Sequence, residues 1–323
     1  MYEIVGLTFP FFALIFLGYL CGKIFKLPQA GLAWLTVYIV YVALPALFYD
    51  LIAKTPFEKL LSFGFVFTAL FATFCAFLIS AVIGAVLTRG GLANAAIQGE
   101  IGGYSNIGYM GPPLTISALG QAASAPAALI FAFENVLHFS LVPLMMALSG
   151  RNDASLPRLL LQVLRRVMLH PFIIATICGF VGAYFALQLW PPLQQMVTYL
   201  RSSAAPCALF TLGVTVAMRP VSTVPWEMPF LLLVKLVLHP FLALLFLSIV
   251  GDFDPIWVYT AIIMAALPPA LNVFVMAQQY DVYVERASTS ILVGTIISVF
   301  TVTGLIFLIK HGFIPHDLFP SGG

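Results

Sequence analysis

The sequence predicts an all-α integral membrane protein with ten transmembrane helices arranged as two inverted five-helix repeats. Composition is the first reason: 62% of the 323 residues are hydrophobic and 8% are charged, whereas soluble domains carry roughly 25% charged residues. The second reason is that long apolar runs recur along the chain, which is typical of membrane helices, whereas the strands of membrane β-barrels alternate apolar and polar residues. The third reason is that landmark residues of the first half recur in the second half at a constant offset.

Ten apolar segments are predicted to span the membrane, each about 20 residues long, which is the length that crosses a ~30 Å hydrocarbon core. Pro45 kinks the second span, Pro206 lies inside the seventh, and the fourth and ninth spans are interrupted. In chain order, the predicted spans are Ile4–Gly22, Ala33–Ala53, Leu61–Leu87, Leu92–Gly120, Ala123–Leu148, Val167–Leu187, Met196–Met218, Val224–Val250, Pro255–Tyr280 and Val284–Lys310.

The spans divide the chain into a first repeat (1–148), a short cytoplasmic link (149–166), a second repeat (167–310) and a tail (311–323). An offset of 161 residues (171 − 10) separates three pairs of landmarks, which are Pro10 and Pro171, Gly18 and Gly179, and Pro45 and Pro206. Because each half holds an odd number of spans, the second half must insert in the opposite sense, as in many secondary transporters. The alternative is that prolines recur by accident in apolar sequence.

Basic residues predict the orientation, because cytoplasmic loops carry an excess of Lys and Arg. One side holds Lys54, Lys59, Lys310 and Arg201, and is predicted to face outward together with both termini. The opposite side is predicted to face the cytoplasm, and it holds Lys23, Lys26, Arg89, Arg151, Arg158, Arg165, Arg166, Arg219 and Arg286.

The fourth span is interrupted at Tyr104–Pro113, because Pro112 and Pro113 lack the N–H that a helix interior requires and Gly108 and Gly111 loosen the backbone. This predicts two half-helices, the second starting at Leu114, with an unwound link. Non-helical backbone at that depth is tolerated only where protein buries it or where it lines a wet cavity.

A matching interruption in the ninth span, at Leu267–Asn272, predicts a second half-helix that starts at Ala270. If both half-helices direct their N-terminal ends at the midplane, their free N–H groups would suit a carboxylate. Asn106 and Asn272 add amides that can donate to an oxygen or accept from a cation. Each Asn could instead simply cap freed backbone groups.

Charged residues within spans are candidates for ion coupling, because they are costly in a membrane. Glu134 has Asn135 beside it and His138 four residues on, and this trio could carry a proton, hold a cation, or form a structural Glu–His pair. Lys235 could replace a coupling cation, pair with an acid, or extend to the interface. Solvated or capping roles are expected for Asp50, Glu100 and Asp281, and kinking or capping for His170-Pro171 and His239-Pro240.

The sequence resembles the auxin efflux carrier family in its short prokaryotic form. Four stretches carry the resemblance: Asn106–Leu114 with Gly120, Leu267–Pro269 with Phe274–Tyr280, Ala208–Gly213 running to Arg219-Pro220, and Val42–Pro45. The resemblance implies two broken helices that cross near the midplane. It also implies a scaffold from spans 1, 2, 6 and 7, a moving transport domain from spans 3–5 and 8–10, and dimers that form through the scaffold.

The resemblance also implies a small organic carboxylate as substrate, such as malonate or malate in bacterial relatives. It implies a substrate site at the crossing, formed by Asn106, Gly108, Tyr109, Met110, Gly111, Pro112, Pro113, Pro268, Pro269 and Asn272.

We therefore expect a secondary transporter of small carboxylates that works by an elevator-type mechanism. The rival function is a cation or proton exchanger that uses Glu134 with Asn106 and Asn272, although the adjacent acids of related antiporters are missing. An enzyme is not expected, because neither a His-Glu-x-x-His nor a Gly-x-Ser-x-Gly motif is present. The sequence has no basic stripe for nucleic acid and four cysteines within apolar segments, so no nucleic-acid partner, metal or cofactor is expected beyond a coupling H+ or Na+.

Overall fold

A computed structural model of the chain describes residues 2–26, 28–150, 161, 164–165, 168–218 and 224–319. Most of the predicted cytoplasmic link lies outside these residues, as do Arg151, Arg158, Arg166 and Arg219 of the orientation argument. Every named secondary-structure element of the described residues is a helix, and their one β-type feature is a single bridge between Ser105 and Pro269.

Twelve helices carry the architecture of the described part of the chain. They are α1 (Tyr2–Phe25), α2 (Ala30–Ala53), α3 (Phe63–Thr88), α4 (Leu92–Gly103), α5 (Gly111–Leu119), α6 (Ser124–Leu148), α7 (Pro171–Tyr184), α8 (Pro191–Ala217), α9 (Met228–Val250), α10 (Pro255–Ala266), α11 (Leu271–Tyr280) and α12 (Val284–Lys310).

Seven of the described helices are long and apolar enough to cross a membrane: α1, α2, α3, α6, α8, α9 and α12. The shorter helices α7 and α10 are also apolar. An all-α membrane protein is therefore confirmed, whereas the count of ten spans and the inverted repeat remain predictions.

Both predicted interruptions are present, but the half-helices begin at different residues from those expected. Helix α4 ends at Gly103 and α5 begins at Gly111, so the predicted start at Leu114 was wrong. Pro112 and Pro113 belong to the first turn of α5. The backbone N–H groups of a first turn have no acceptor within the helix, so a proline there costs no helical hydrogen bond. Helix α11 begins at Leu271, one residue later than expected.

Two π-helical turns widen the long helices immediately before prolines. Ile39–Ala43 precedes Pro45 in α2, and Val234–Leu238 precedes Pro240 in α9. The wider turn accommodates a proline ring that would clash with the carbonyl of the preceding turn in a regular helix. It also turns Val40 toward a cavity, described below, and Lys235 toward the protein interior.

The helices pack in two groups. Helices α1, α2, α7 and α8 form one group, held by extensive α1–α8 and α2–α7 contacts. The other group contains α3, α4, α6 and α9–α12, with extensive contacts between α3 and α4 and between α9 and both α3 and α10. Phe48 of α2 stacks on Phe131 of α6 with ring centroids 3.7 Å apart, so an aromatic contact joins the two groups.

Glycines allow α1 and α8 to approach with their backbones in contact. A Cβ atom added at Gly18 would lie 2.1 Å from the carbonyl oxygen of Phe210, and one added at Gly213 would lie 1.9 Å from that of Ile15. Because the obstructing atoms belong to the backbone, a side chain at either position would force the helices apart.

Gly213→Ala is therefore expected to lower the melting temperature of the purified protein, with an overpacking cost of about 1–3 kcal/mol. The control is Gly304→Ala in α12, where an added Cβ meets nothing within 4 Å. That control is expected to be neutral or stabilising, because alanine is favoured over glycine within a helix by roughly 0.5–1 kcal/mol. Equal melting temperatures for the two variants would show that α1 and α8 do not make this close contact.

Candidate functional site

The two unwound links lie against each other and exchange backbone hydrogen bonds. The Asn106 N–H donates to the Pro268 carbonyl at 2.9 Å, and the Ala270 N–H donates to the Tyr104 carbonyl at 3.0 Å. These bonds satisfy polar groups that the interruptions remove from their helices, which is a requirement inside a membrane. The two breaks therefore stabilise each other.

A cavity of about 160 Å³ opens beside this contact, between the two helix groups. The link before α5 and the first turns of α11 form one wall, α6 forms a second, and α2 and α7 close it. Its lining residues are Val40, Tyr104, Ser105, Asn106, Gly108, Tyr109, Phe131, Asn135, Phe139, His170, Phe172, Ala270, Leu271, Asn272, Val275 and Met276.

Four of the ten residues expected at the substrate site line this cavity: Asn106, Gly108, Tyr109 and Asn272. Gly108 keeps the wall close to α6, because a Cβ there would lie 3.2 Å from the Phe131 ring. The other six shape the break instead of lining the cavity, and they are Met110, Gly111, Pro112, Pro113, Pro268 and Pro269.

Tyr104 holds two cavity amides in place. Its hydroxyl donates to Asn135 Oδ1 at 2.5 Å and accepts from Asn272 Nδ2 at 2.8 Å. Its ring stacks on His138, with centroids 4.1 Å apart. Sequence reasoning missed Tyr104 because a tyrosine in an apolar segment is ordinary, and its role depends on contacts from α6 and α11.

The side-chain amide of Asn106 differs from those of Asn135 and Asn272 in its hydrogen bonding. Its side chain is 3% exposed, and Nδ2 has no hydrogen-bond partner among the described residues. A buried amide left without a partner costs roughly 1–3 kcal/mol. This donor therefore lies at the cavity wall with no hydrogen-bond acceptor among the described residues.

Lys235 lies fully buried behind the same break. Its Nζ donates to Ser105 Oγ at 2.8 Å, to His239 Nδ1 at 3.1 Å, and to the Ala265 carbonyl near the end of α10. Three acceptors match the three donors of an ammonium group. Lys235 therefore does not extend to the membrane interface.

His239 and Thr73 connect Lys235 to Glu134. Thr73 Oγ1 donates to Glu134 Oε1 at 2.8 Å and lies 3.1 Å from His239 Nε2. With Nδ1 accepting from Lys235, the neutral imidazole carries its proton on Nε2 and donates it to Thr73. The expectation that His239 only kinks or caps its helix was wrong, because its imidazole bridges two helices in this buried chain.

The predicted trio of Glu134, Asn135 and His138 does not act as one unit. His138 Nδ1 lies 3.0 Å from Oε2 of Glu100 on α4, and both side chains are fully buried. Asn135 faces the cavity, while Glu134 bonds with Thr73. Spacing along α6 placed the three residues together, but neighbouring helices supply different partners on either side.

Two acids that were expected to be solvated are buried in the described structure. Glu100 pairs with His138, as above, and Asp50 is 1% exposed. Asp50 accepts from Gln194 Nε2 at 2.9 Å, and forms ion pairs with Arg201 and with Lys54. Asp50 therefore ties α2 to α8. Asp281, by contrast, follows α11 at its exposed end.

A family model described as Membrane transport protein matches residues 4–306. The chain belongs to this family. It is also 48% identical, over 320 residues covering 99% of this chain and 100% of the relative, to a protein of Rhizobium meliloti (strain 1021) named "Putative malonate transporter". The resemblance to auxin efflux carriers is thus confirmed, and the expectation of a transporter instead of an enzyme is confirmed with it.

We expect Asn106→Ala to weaken ligand binding in this family member by tenfold or more without lowering its melting temperature. The physical reason is that Asn106 Nδ2 has no acceptor among the described residues, so its loss would cost a ligand contact and no contact within the fold. Isothermal titration of the purified protein with candidate acids tests this. Asn94→Ala, which removes an amide of α4 that does not line the cavity, is the control and should bind as the wild type does.

Lys235→Met is expected to destabilise the fold by about 3 kcal/mol or more, because it removes the donor to three buried acceptors and leaves the Glu134 carboxylate, at the other end of the same hydrogen-bonded chain, without a nearby cation. Lys235→Met combined with Glu134→Gln should recover part of that loss, since the second change removes the unpaired charge. Melting temperatures of the two single variants and the double variant measure the coupling. Strictly additive losses would show that Lys235 and Glu134 do not interact.

Proposed function

We propose that the protein is a secondary transporter of small organic carboxylates, with malonate as a substrate. The observation that carries this proposal is the cavity where two broken helices meet, lined by Asn106, whose Nδ2 has no hydrogen-bond partner in the described part of the chain. The relative named as a malonate transporter, which matches over nearly the full length of both chains, supports the same substrate class.

A carboxylate is favoured here for electrostatic reasons. Gly108 and Tyr109, just before α5, line the cavity together with Leu271, the first residue of α11. The start of α11 therefore lies at the cavity, where its N–H groups carry partial positive charge. The start of α5 contributes less, because Gly111–Pro113 do not line the cavity and two of these three residues lack an N–H. Lys235 adds a buried cation one hydrogen bond behind Ser105, which itself lines the cavity.

We propose an elevator-type movement of one helix group past the other. The grouping of α1, α2, α7 and α8 apart from the remaining helices matches a scaffold and a transport domain. The cavity lies at their boundary, with the two breaks on one side and α2 and α7 on the other. An interface made largely of aromatic and aliphatic side chains, such as Phe48 on Phe131, leaves few polar bonds to break during sliding.

Internal symmetry supports ten spans in two inverted repeats. The breaks exchange a reciprocal pair of hydrogen bonds, as two elements related by a two-fold axis would. Gly18 of α1 lies against α8, and Gly179 of α7 lies against α2, where an added Cβ would be 2.8 Å from Ile52. The first helix of each half therefore packs, through a glycine, on the second helix of the other half. We propose further that the protein lies in a bacterial inner membrane with both termini outside and dimerises through the scaffold.

Glu134 is the proposed site of a coupling proton. When Glu134 is ionised, its negative charge offsets the positive charge of Lys235. When Glu134 is protonated, the hydrogen-bonded chain from Lys235 through His239 and Thr73 to Glu134 has a net positive charge. Binding of an anion beside Ser105 is therefore easier when Glu134 is protonated, and by reciprocity a bound anion favours protonation. A metal-cation site at the breaks is disfavoured, because the buried ammonium of Lys235 beside Ser105 would repel a second cation there.

Uptake by proteoliposomes tests the transporter directly. Purified wild-type protein is expected to accumulate radiolabelled malonate, and excess unlabelled malonate should compete with it. Flux of sodium or protons that is insensitive to every organic acid tested would favour the exchanger and end this proposal.

Glu134→Gln is expected to change the pH dependence of uptake more than the affinity for malonate. Wild-type uptake should rise as the external pH falls, whereas the amide variant, which cannot take up a proton, should show a flat profile. Gln98→Ala, a change at a buried side chain away from this chain of residues, provides the control. A pH profile unchanged by Glu134→Gln would remove Glu134 from the coupling step.

A further inference from the structure

A second buried acid–base pair lies beside the cavity, and the coupling scheme proposed above does not use it. Glu100 of α4 and His138 of α6 are both fully buried, and His138 Nδ1 lies 3.1 Å from Glu100 Oε1 and 3.0 Å from Oε2. The ring of Tyr104, which lines the cavity, stacks on the imidazole of His138. One aromatic ring therefore separates this pair from the proposed substrate site.

His138 also lies close to the hydrogen-bonded chain that runs from Lys235 to Glu134. Glu134 precedes it by four residues on α6, and residues four apart on a helix have Cβ atoms about 5–6 Å apart. The charge of His138 interacts with those of Glu134 and His239. The pair and the chain therefore have separate hydrogen-bond partners but form one electrostatic group.

The charges of this buried group, which consists of Glu100, His138, Glu134, His239 and Lys235, do not balance without one further proton. The two acids carry two negative charges when ionised, whereas Lys235 carries one positive charge. His239 is neutral, because its Nδ1 accepts from Lys235. A buried charge without compensation is strongly destabilised. Neutrality therefore requires one proton, either on His138 or on one of the two acids.

Among the described residues, the other helices packed against α6 add no buried charge without a partner to this count. Asp50 of α2 is paired with Lys54 and Arg201. His170 of α7 packs on Phe139 of α6, and its ring is neutral because Nδ1 accepts from a backbone N–H of α7. The extra proton therefore belongs to the buried group itself.

Three polar atoms of the buried group indicate where this proton can bind. Glu100 Oε2, His138 Nε2 and Glu134 Oε2 are buried and have no hydrogen-bond partner in the part of the chain that the structure describes. A buried polar atom left in this way costs roughly 1–3 kcal/mol. A proton on Nε2 creates a donor for the oxygen of Glu134, and a proton on that oxygen creates a donor for Nε2. The two atoms are thus complementary wherever the proton resides.

We propose that Glu100, His138 and Glu134 form one proton-binding site, and that the proton coupled to anion binding is shared among them instead of belonging to Glu134 alone. This inference rests on the proposed transport function. Transfer within the site breaks the Nε2–H bond of His138 and forms an O–H bond at Glu134 Oε2, so the charge stays within the buried group. With the proton bound, the group is neutral. Without it, one net negative charge repels an anion in the cavity.

Glu100→Gln tests the acid that has no hydrogen bond to the Lys235–Glu134 chain. The amide keeps an oxygen that accepts from His138 Nδ1 but removes one negative charge, so Glu134 and Lys235 balance without an extra proton. We expect the wild type to take up at most about one proton per bound malonate, and the variant to take up none. Its affinity for malonate should accordingly be independent of pH, whereas that of the wild type should fall as the pH rises.

Isothermal titration in two buffers of different ionisation enthalpy counts these protons, at a pH at which malonate is fully ionised. The matched control is Glu285→Gln, which neutralises an exposed acid in the first turn of α12 and should take up protons as the wild type does. Proton uptake by Glu100→Gln that equals the wild-type value would overturn the inference.

His138→Gln separates a shared proton from one that belongs to a single residue. The two acids still require one proton, so malonate binding should still take one up. The midpoint of the pH dependence should move to lower pH, because the most basic group of the site has been removed. An unchanged midpoint would exclude His138 from the site, and complete loss of uptake would assign the proton to His138 alone. Either result would overturn the inference.

Melting temperatures establish that each variant is folded, and if Glu100→Gln does not fold, the midpoint of His138→Gln decides. Wild-type protein that binds malonate with a dependence on sodium and without proton uptake would overturn this inference and leave the proposed transporter standing. Wild-type protein that does not bind malonate would instead refute the proposed function, and this inference with it.

Discussion

The structure depends on one constraint: backbone N–H and carbonyl groups inside a membrane need partners within the protein. Interrupting a single helix would expose several of these groups, and the protein interrupts two. The cost is offset because the breaks bond to each other, through Asn106 with Pro268 and Tyr104 with Ala270. Each break thus stabilises the other, and the cavity lies beside the hydrogen bonds that join them.

The same arrangement accounts for the buried polar side chains. A helix that ends at the break, as α10 does, leaves carbonyl oxygens with partial negative charge, and the Nζ of Lys235 binds one of them at Ala265. Satisfying this cation in turn requires Ser105 and His239, and neutralising it requires Glu134. Residues that look like separate costly polar groups in the sequence therefore form one hydrogen-bonded group, which connects helices α3, α6, α9 and α10.

Sequence reasoning located the breaks because proline and glycine act on the backbone through local geometry, which needs no knowledge of neighbours. Glu134 and Lys235 were found because charge is conspicuous in apolar sequence. Their partners were not found: Thr73 and Tyr104 are ordinary residues whose roles depend on distant helices. Glu100 and Asp50 were misplaced for a related reason, since proximity to a span end was taken as exposure, while His138 and Arg201 from other helices bury them. Local rules predicted where the helices break, but not which side chains meet.

Ser105 and Asn106 are adjacent in the unwound link, and their different partners explain how charge and substrate could influence each other. The Ser105 hydroxyl accepts from Lys235, while the Asn106 amide remains at the cavity wall. In the proposed function, an anion bound by Asn106 would therefore lie one residue from the hydroxyl that accepts from Lys235. Backbone hydrogen bonds on either side of Ser105, at the Tyr104 carbonyl and the Asn106 N–H, hold this part of the link against the other break. In the proposed function, a change in the charge of the Lys235–Glu134 chain would therefore change the affinity for an anion at the cavity, without a large rearrangement to transmit it.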